Sequence, residues 1–446
     1  MNSLVETRAL AAVPDRVAPL ADRSPGWIQT LFLGFAFLVL QGAFIDMATS
    51  ARETASAESS DIRHMLAFAV LLFGTAILAP KHWRGMVAAA GANLPYFILP
   101  AILLASVLWS VEPALTLKRS VLTVGVCVFD LYVATTIGLN RLLRLLSVTV
   151  LLSAVASIVL AVALPTIGRE MTEGLTGDWR GAFSQKNTLG HVMSIGVFVE
   201  IGLMIRARRL LAGGCVRAAI YLVLVVMAHS VSSLLSVTLA IIGAILYVSF
   251  RRGLATTAIC VLVAVGIVAL VGGTIGTNPS VLFELLDRDP SLTGRTDLWF
   301  YVLDAIREKP LFGWGYMAFW TPDGTSATYI QNQIRWPAPN AHNGYLELAL
   351  GLGLVGLAGL AATGLWTVRR IVASTAGHAD LAALLAIISL QMLVANLTES
   401  FMISSSVFGW NVFSIIVLMT GRNHQPWAPA DHTGRASLLA RAKPKA

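Results

Sequence analysis

The stretch TGRTDLWFYVLDAIREKPLFGWGY, residues 293–316, and its continuation NAHNGYLELALGLGLVG, residues 340–356, join a water-exposed arm to a membrane helix. In the first part Leu298, Val302, Ala305 and Ile306 recur at helical spacing. Asp297, Asp304, Arg307 and Glu308 fill other positions, and Pro310 ends the run. The pattern predicts an amphipathic helix lying on the membrane surface or on the outer rim of a bundle, with Trp299, Phe300 and Tyr301 near its start. In the second part Pro337 and Pro339 force the chain extended. Asn340 then reads as an N-cap, placing His342 in the first turn of a helix that enters the bilayer. Leu346, Ala349 and Gly353 follow His342 on the same helical face.

Composition makes the rest of the chain the frame for this arm. Of 446 residues 56% are hydrophobic and 13% charged, and the mean hydropathy of +0.73 lies outside the range of soluble domains. The chain reads as an all-α, polytopic integral membrane protein. Cys127, Cys215 and Cys260 are too few and too scattered for a disulfide framework or a thiolate metal cluster, and read as small core residues. No secretory signal is expected before the first apolar run.

Apolar spans fall near 27–47, 65–80, 87–108, 120–139, 145–165, 188–205, 216–230, 231–250, 254–275, 342–367, 380–398 and 402–421, about twelve in all. Four parts follow: an N-terminal transmembrane bundle (1–275), a large extracytoplasmic loop (276–341), C-terminal transmembrane helices (342–421) and a basic tail (422–446). With both ends inside, the inner segments are short and basic. Examples are Lys81 and Arg84, Arg206 with Arg208 and Arg209, and Arg251 with Arg252. The positive-inside rule then puts both termini in the cytoplasm. The net charge of +8 is explained by this topology and is not read as nucleic-acid binding.

The outer loops 166–187 and 276–341 carry most residues capable of chemistry, so function is expected on the extracytoplasmic side. Arg295 sits in or just before the first turn of the amphipathic helix. Its guanidinium and the positive end of the helix dipole together suit an anion such as phosphate. The structural alternative is an ion pair with Asp297 or Glu284. Arg180 and Lys186, in the segment DWRGAFSQKN (178–187), lie within reach of the membrane surface; for Arg180 a headgroup-facing role is the alternative. The helix dipole disfavours a charged His342, so a neutral imidazole able to accept a proton is expected there.

Two features are set aside. The GLGLVG run at 351–356 spells a dinucleotide fingerprint but lies inside a span, where close packing by small residues explains it better. Asp130, Glu200, Glu347 and Glu399 fall in or near spans. Only Asp130 reads as mid-bilayer, so a proton relay has little support.

Taken together, the motifs resemble the bacterial O-antigen ligase and polymerase superfamily, and within it the ExoQ-like exopolysaccharide polymerases. The matching pieces are WSVEP (109–113), WRGAF with Lys186-Asn187, GRTDLW (294–299), PLFGWGY (310–316) with Phe319-Trp320, and AHNGYL (341–346). They cover roughly residues 100 to 356. One departure is that Ser232 is followed by Ser233 and Leu234, where members often carry a cation.

The resemblance implies a membrane glycosyltransferase of the bacterial inner membrane. Such enzymes transfer a glycan from undecaprenyl diphosphate to an acceptor sugar hydroxyl on the periplasmic side, with inversion and without a metal or nucleotide donor. Fixed cations must then stabilise the departing diphosphate, and a neutral base must deprotonate the acceptor. On this reading Arg180 and Arg295 hold the diphosphate and His342 activates the acceptor. Asn187, Lys186 and Asn343 bind or orient sugar or phosphate, while Trp299, Trp314, Tyr316 and Trp320 stack on sugar rings; anchoring in lipid headgroups is the alternative for these aromatics. The growing polysaccharide, the lipid bilayer, and chain-length regulators and export proteins are the implied partners. Two other functions stay open: a ligase moving glycan to lipid A or protein, and a transporter of lipid-linked glycan, which would need polar groups at the midplane.

Overall fold

A computed structural model of the chain describes residues 26–43, 57–171, 177–253, 295–321, 325–334, 338–375, 378–401 and 408–420. The regular elements among the described residues are helices, apart from one isolated bridge between Arg169 and Trp179. In chain order the main helices are α1 (Trp27–Gln41), α2 (Ala57–Leu78), α3 (Trp83–Ala92), α4 (Ile98–Ala105), α5 (Pro113–Thr136), α6 (Leu139–Ala163) and α7 (Lys186–Ala207). There follow α8 (Ala212–Met227), α9 (Val231–Arg252), α10 (Arg295–Glu308), α11 (Thr325–Ile334), α12 (Gly344–Thr375), α13 (Ala379–Thr398) and α14 (Phe408–Thr420).

Six stretches among the described residues are long and apolar enough to cross a membrane: Met65–Ala92, Leu139–Ala163, Lys186–Ala207, Val231–Arg251, Gly344–Thr375 and Ala379–Thr398. Trp27–Gln41, Leu94–Leu108, Ala212–Met227 and Phe408–Thr420 are apolar but shorter. The predicted span 254–275 lies outside the described residues. Two predicted spans, 65–80 and 87–108, differ in form. Helix α2 passes through a 3₁₀ turn at Ala79–His82 into α3 as one apolar run, and the following apolar stretch is broken into a 3₁₀ turn at Leu94–Phe97 and α4. Pro80 and Pro95 open these turns, because a ring without an N–H cannot continue the α-ladder. The predicted break between the two spans near residue 230 is Ala228–Ser230, where His229 takes a φ of 45°.

Helix α7 lies at the centre, packed on α6, α8, α9, α13 and α14, and most of its side chains are buried. Its polar groups are met inside the protein. Glu200 is fully buried and takes both Arg217 Nε and Nη2 at 2.9 Å, with Ser147 Oγ donating at 2.6 Å. Breaking such a pair would strand a charge in low dielectric. Asp130 is fully buried with neither oxygen hydrogen-bonded among the described residues. Cys127 is buried as expected, Cys215 is exposed, and Cys260 is outside the described residues.

The predicted amphipathic helix is present as α10. Leu298, Val302 and Ala305 are buried and Ile306 is partly so. They do not face lipid: with Phe319, Ala327, Ile330, Ala338, Ala341 and Leu350 they form a second small core over the end of α12. Each fully buried Leu or Val here contributes about 1.5–3 kcal/mol. Phe300, Leu311 and Phe312 remain exposed on the arm, as suits the membrane interface.

The arm is also spliced into α12. That helix is interrupted at Gly353, whose φ of 60° and ψ of −155° are closed to other residues. The segment 310–315 fills the interruption. Trp314 N donates to Leu350 O and Gly315 N to Gly351 O, both at 2.9 Å; Leu354 N donates to Pro310 O at 2.9 Å and Val355 N to Leu311 O at 3.2 Å. A Cβ on Gly353 would lie 2.4 Å from the Leu311 carbonyl carbon. The glycine run at 351–356 is therefore a packing device, as expected, but its neighbour is the arm's backbone and not another helix. Broken backbone at membrane depth is tolerated when protein groups satisfy it in this way. The face predicted to run from His342 through Leu346 and Ala349 to Gly353 is cut by the same break.

Candidate functional site

Four chain segments meet at Glu399, the residue after α13. Its Oε1 accepts Arg295 Nη2 and Asn187 Nδ2, each at 2.6 Å, and its Oε2 lies 3.1 Å from His342 Nδ1. Arg295 Nη1 also donates to the Thr398 carbonyl. Each partner arrives for a local reason. Arg295 opens α10, and Asn187 stands at the second position of α7. Glu399 follows the end of α13 in an extended conformation, and its carbonyl accepts Gly344 N at 3.1 Å, tying it to the start of α12.

His342 sits differently from the expectation. It precedes α12 with a φ of 45°, and Asn343 is the capping residue, its Oδ1 taking Tyr345 N at 3.0 Å and Leu346 N at 3.1 Å. Asn340, expected as the N-cap, instead accepts His342 N at 2.8 Å and holds the turn that makes the positive φ possible. The histidine is therefore governed by the Glu399 carboxylate more than by a helix dipole. A carboxylate can only accept, so the neutral ring carries its proton on Nδ1 and Nε2 is the nitrogen with a lone pair.

The Glu399 side chain is 7% exposed. Burial pushes its carboxyl upward, but the hydrogen bond from His342 and the charge of Arg295 outweigh this and hold it below the ordinary 4.5. It is ionised at neutral pH. Among the described residues Arg295 pairs neither with Asp297 nor as an isolated anion site; its partner is Glu399. Glu284 is outside the described residues.

A cleft of about 360 Å³ opens against this cluster. Its lining includes Arg119 of α5, Gln185 and His191 of the α7 region, Tyr316, Met317 and Trp320 of the arm, Glu347 of α12, and Glu399 with Phe401. Arg295 and His342 do not line it themselves and reach it through Glu399. Glu347 Oε2 accepts Ala341 N at 2.8 Å and Trp320 Nε1 at 3.0 Å, fixing the chain just ahead of His342.

The other predicted residues separate into groups. Arg180 is not paired with Arg295. Its Nε donates to Ile167 O at 2.9 Å, while its Nη1 is 4.0 Å from Glu170 and its Nη2 3.5 Å from Thr166 O. Lys186 does not join the Glu399 cluster: its ammonium pairs with Asp178, which also meets His229 Nδ1 at 2.6 Å. Asn343 Nδ2 donates to Leu397 O at 3.0 Å, so both ends of that amide are structural. Trp299 Nε1 donates to Ala341 O and Trp314 Nε1 to Ala305 O, each at 2.9 Å, and Trp314 carries Lys309 over its ring at 4.1 Å. Of these aromatics only Tyr316 and the neighbouring Trp320 line the cleft.

Glu399 was set aside in the sequence as an interfacial carboxylate, and the structure corrects that. Arg119 and His191 carried no sequence signal of their own. His191 is 3% exposed, stacks on Phe401 at 4.1 Å between ring centroids, and has no hydrogen bond to Nε2 among the described residues.

A many-helix membrane bundle with a partly buried cation and histidine on a buried carboxylate at one end, beside an aromatic-walled cleft, is the class that the fold and site define. The comparisons with known proteins show what the chain is similar to. Residues 217–361 match the model of the family described as O-antigen ligase. That range takes in Arg295 and His342 and leaves out Arg180, Asn187 and Glu399. The chain is also similar to the exopolysaccharide production protein ExoQ of Rhizobium meliloti (strain 1021), at 29% identity over 273 residues, which is 56% of this chain and 59% of the relative. The chain thus spans about three fifths of the curated relative it matches. The resemblance to the O-antigen ligase and polymerase superfamily, and to its ExoQ-like branch, is borne out.

Proposed function

We propose that the protein is a polymerase of a cell-surface or secreted polysaccharide, transferring glycan from an undecaprenyl diphosphate carrier to an acceptor sugar hydroxyl at the periplasmic face. The observation that carries the reading is the Glu399 carboxylate held between Arg295 and His342 at the wall of the cleft. With Nδ1 fixed on Glu399, His342 Nε2 is the base that takes the proton of the attacking hydroxyl, and the carboxylate stabilises the imidazolium as it forms. The hydroxyl attacks the anomeric carbon opposite the departing diphosphate, so the product is inverted.

Arg295 and Arg180 are the cations proposed for the diphosphate. Arg295 is held through Nη2 by Glu399 and through Nη1 by the Thr398 carbonyl, and the second N–H on each nitrogen is the donor proposed for phosphate oxygens. Arg180 is anchored through Nε while its outer nitrogens make only long contacts, so phosphate oxygens can replace them at small cost. Lys186, Asn187, Asn343 and Trp299 are given supporting roles, since each holds a neighbour of these groups in place. Tyr316, with Trp320, is proposed to face sugar from the cleft wall, and Trp314 to steady the arm. In topology we keep a cytoplasmic N-terminus and basic tail 422–446, with the segment 276–341 as the periplasmic loop between the bundle 1–275 and the helices 342–421.

The ligase reading has one observation in its favour, the description of the matching family model. One experiment separates the readings: His342→Ala in a strain lacking the native copy, with protein level checked and lipid-linked glycan analysed. A polymerase leaves single lipid-linked repeat units and no long chains. A ligase leaves full-length polymer on the carrier, and unchanged polysaccharide would remove His342 from the mechanism.

A further inference from the structure

Helix α12 carries a second group of cations at the end away from Glu399. Between Gly344 and Arg370 it rises about 39 Å at 1.5 Å per residue, more than the ~30 Å of a bilayer's hydrocarbon core. With Gly344 at one surface of the bilayer, Arg369 and Arg370 therefore stand at the headgroup level of the other. The two arginines share one indole. The Arg370 guanidinium carbon lies 4.4 Å, and that of Arg369 5.5 Å, from the ring centroid of Trp366. Trp366 Nε1 in turn donates to Asn93 Oδ1 at 3.2 Å, which joins α12 to the junction between α3 and the 3₁₀ turn at Leu94–Phe97. Arg370 Nη2 donates to the carbonyl of Ala92, the last residue of α3, while its Nε is buried with no hydrogen-bond partner among the described residues. Arg370 is thus partly a helix cap.

Arg369 makes no hydrogen bond among the described residues, and neither arginine forms an ion pair there. Asp380, near the start of α13 at the same end of the bundle, is bonded to Arg206 at 3.2 Å and to the Tyr247 hydroxyl. Arg369 also stands in an exposed apolar stripe: Leu365, Val368 and Val372 on the same face of α12 are 73, 58 and 66% exposed, and Leu94 of the adjoining 3₁₀ turn is 65% exposed. Fixed cations with open apolar surface beside them match an amphiphile of opposite charge, its phosphate on the arginines and its acyl chains along the leucines and valines. A soluble acidic partner would leave that apolar surface uncovered. The chain's own tail 422–446, with five Lys or Arg against one Asp, has the wrong sign.

We infer that Arg369 and Arg370, with Trp366, form a binding site for the headgroup of an anionic phospholipid, seated between α12 and the 3₁₀ turn at Leu94–Phe97. Two guanidiniums on one indole repel each other until an anion bridges them, and a phosphodiester offers oxygens to both forks. Basic pockets between membrane helices take lipid headgroups in this way. The inference is independent of the glycosyl-transfer reading. The bound lipid steadies the end of α12 opposite to the one that holds the arm.

The test is lipid binding by the full-length protein in detergent, read by native mass spectrometry, with dioleoyl phosphatidylglycerol as the probe and dioleoyl phosphatidylcholine, which has the same chains, as the zwitterionic control. Wild type is expected to prefer phosphatidylglycerol by at least about tenfold. Arg369→Gln removes a cation without breaking a hydrogen bond among the described residues, and should cut the preference about fivefold, the scale of one basic residue's attraction to an anionic surface. Adding Arg370→Gln should bring the two lipids within about twofold of each other. Arg208→Gln with Arg209→Gln, an exposed pair in the loop after α7, changes the net charge as much as that double variant and should leave the preference unchanged. An equal loss in this control pair, an unchanged preference in Arg369→Gln, or no preference in wild type overturns the site. Displacement of phosphatidylglycerol by millimolar inorganic phosphate would make it a free-phosphate site and overturn the lipid assignment.

Discussion

Replacing Glu399 by Gln tests the site with almost no change in shape. The carboxylate accepts from Asn187 and Arg295 on one oxygen and from His342 on the other. An amide has one accepting oxygen, and Arg295 and Asn187, which can only donate toward it, will hold that oxygen. The amide NH₂ is then turned to His342 Nδ1, which must become an acceptor. The ring proton moves to Nε2, and the nitrogen proposed as base loses its lone pair. Loss of general-base catalysis costs about 10²–10⁴ in rate, or roughly 3–5 kcal/mol in the barrier. The loss of a charge-assisted bond should lower folding stability by only about 1.5–3 kcal/mol. The assay is polymer synthesis in a strain lacking the native copy, normalised to membrane-inserted protein, with the melting temperature of the purified variant measured beside it. Polymer within threefold of wild type at normal protein level would refute the carboxylate–histidine coupling.

Further outcomes follow from single contacts. The Glu399 carboxyl sits below its ordinary 4.5, so the stability it contributes is present above that value and is lost as pH falls through the lower folded value. Melting temperature should therefore be insensitive to this group between pH 5.5 and 8 in wild type and drop in stronger acid, and Glu399→Gln should flatten the acid limb. Gly353→Ala places a Cβ 2.4 Å from Leu311 on a backbone closed to alanine, and should free the 310–315 segment; limited proteolysis of the purified protein reads this as new cleavage in the arm. Arg217→Met leaves the Glu200 carboxylate buried and without its cation, at a cost of about 3–5 kcal/mol, which Glu200→Gln in the same chain should largely restore when thermal unfolding is measured.

Much of the frame was legible because hydropathy and helical spacing are local. The α10 face of Leu298, Val302 and Ala305, and the spans now seen as α7 and α13, could be read from neighbours a few residues apart. The site was legible only in part. Arg295 and His342 announce themselves through arm motifs, but their common partner Glu399 lies 104 and 57 residues further on. At the end of a span a carboxylate looks like any interfacial one, and only the fold brings Asn187 to it from 212 residues away. Arg180 shows the opposite failure. Chemistry suggested pairing it with Arg295, whereas its contacts lie within its own loop, to Ile167 and Glu170. The break in α12 was hidden because glycine in a membrane helix has an ordinary explanation in close packing, and the intruding 310–315 backbone leaves no trace in the hydropathy of 344–375.

That break has a physical consequence for how the protein responds to its membrane. Because 310–315 is bonded to α12 on both sides of Gly353, the arm has no independent height: it rises, sinks and tilts with the helix. Helix tilt is set in part by the match between apolar length and bilayer thickness. Lipid thickness thereby becomes a control on how far the histidine and its carboxylate stand from the hydrocarbon.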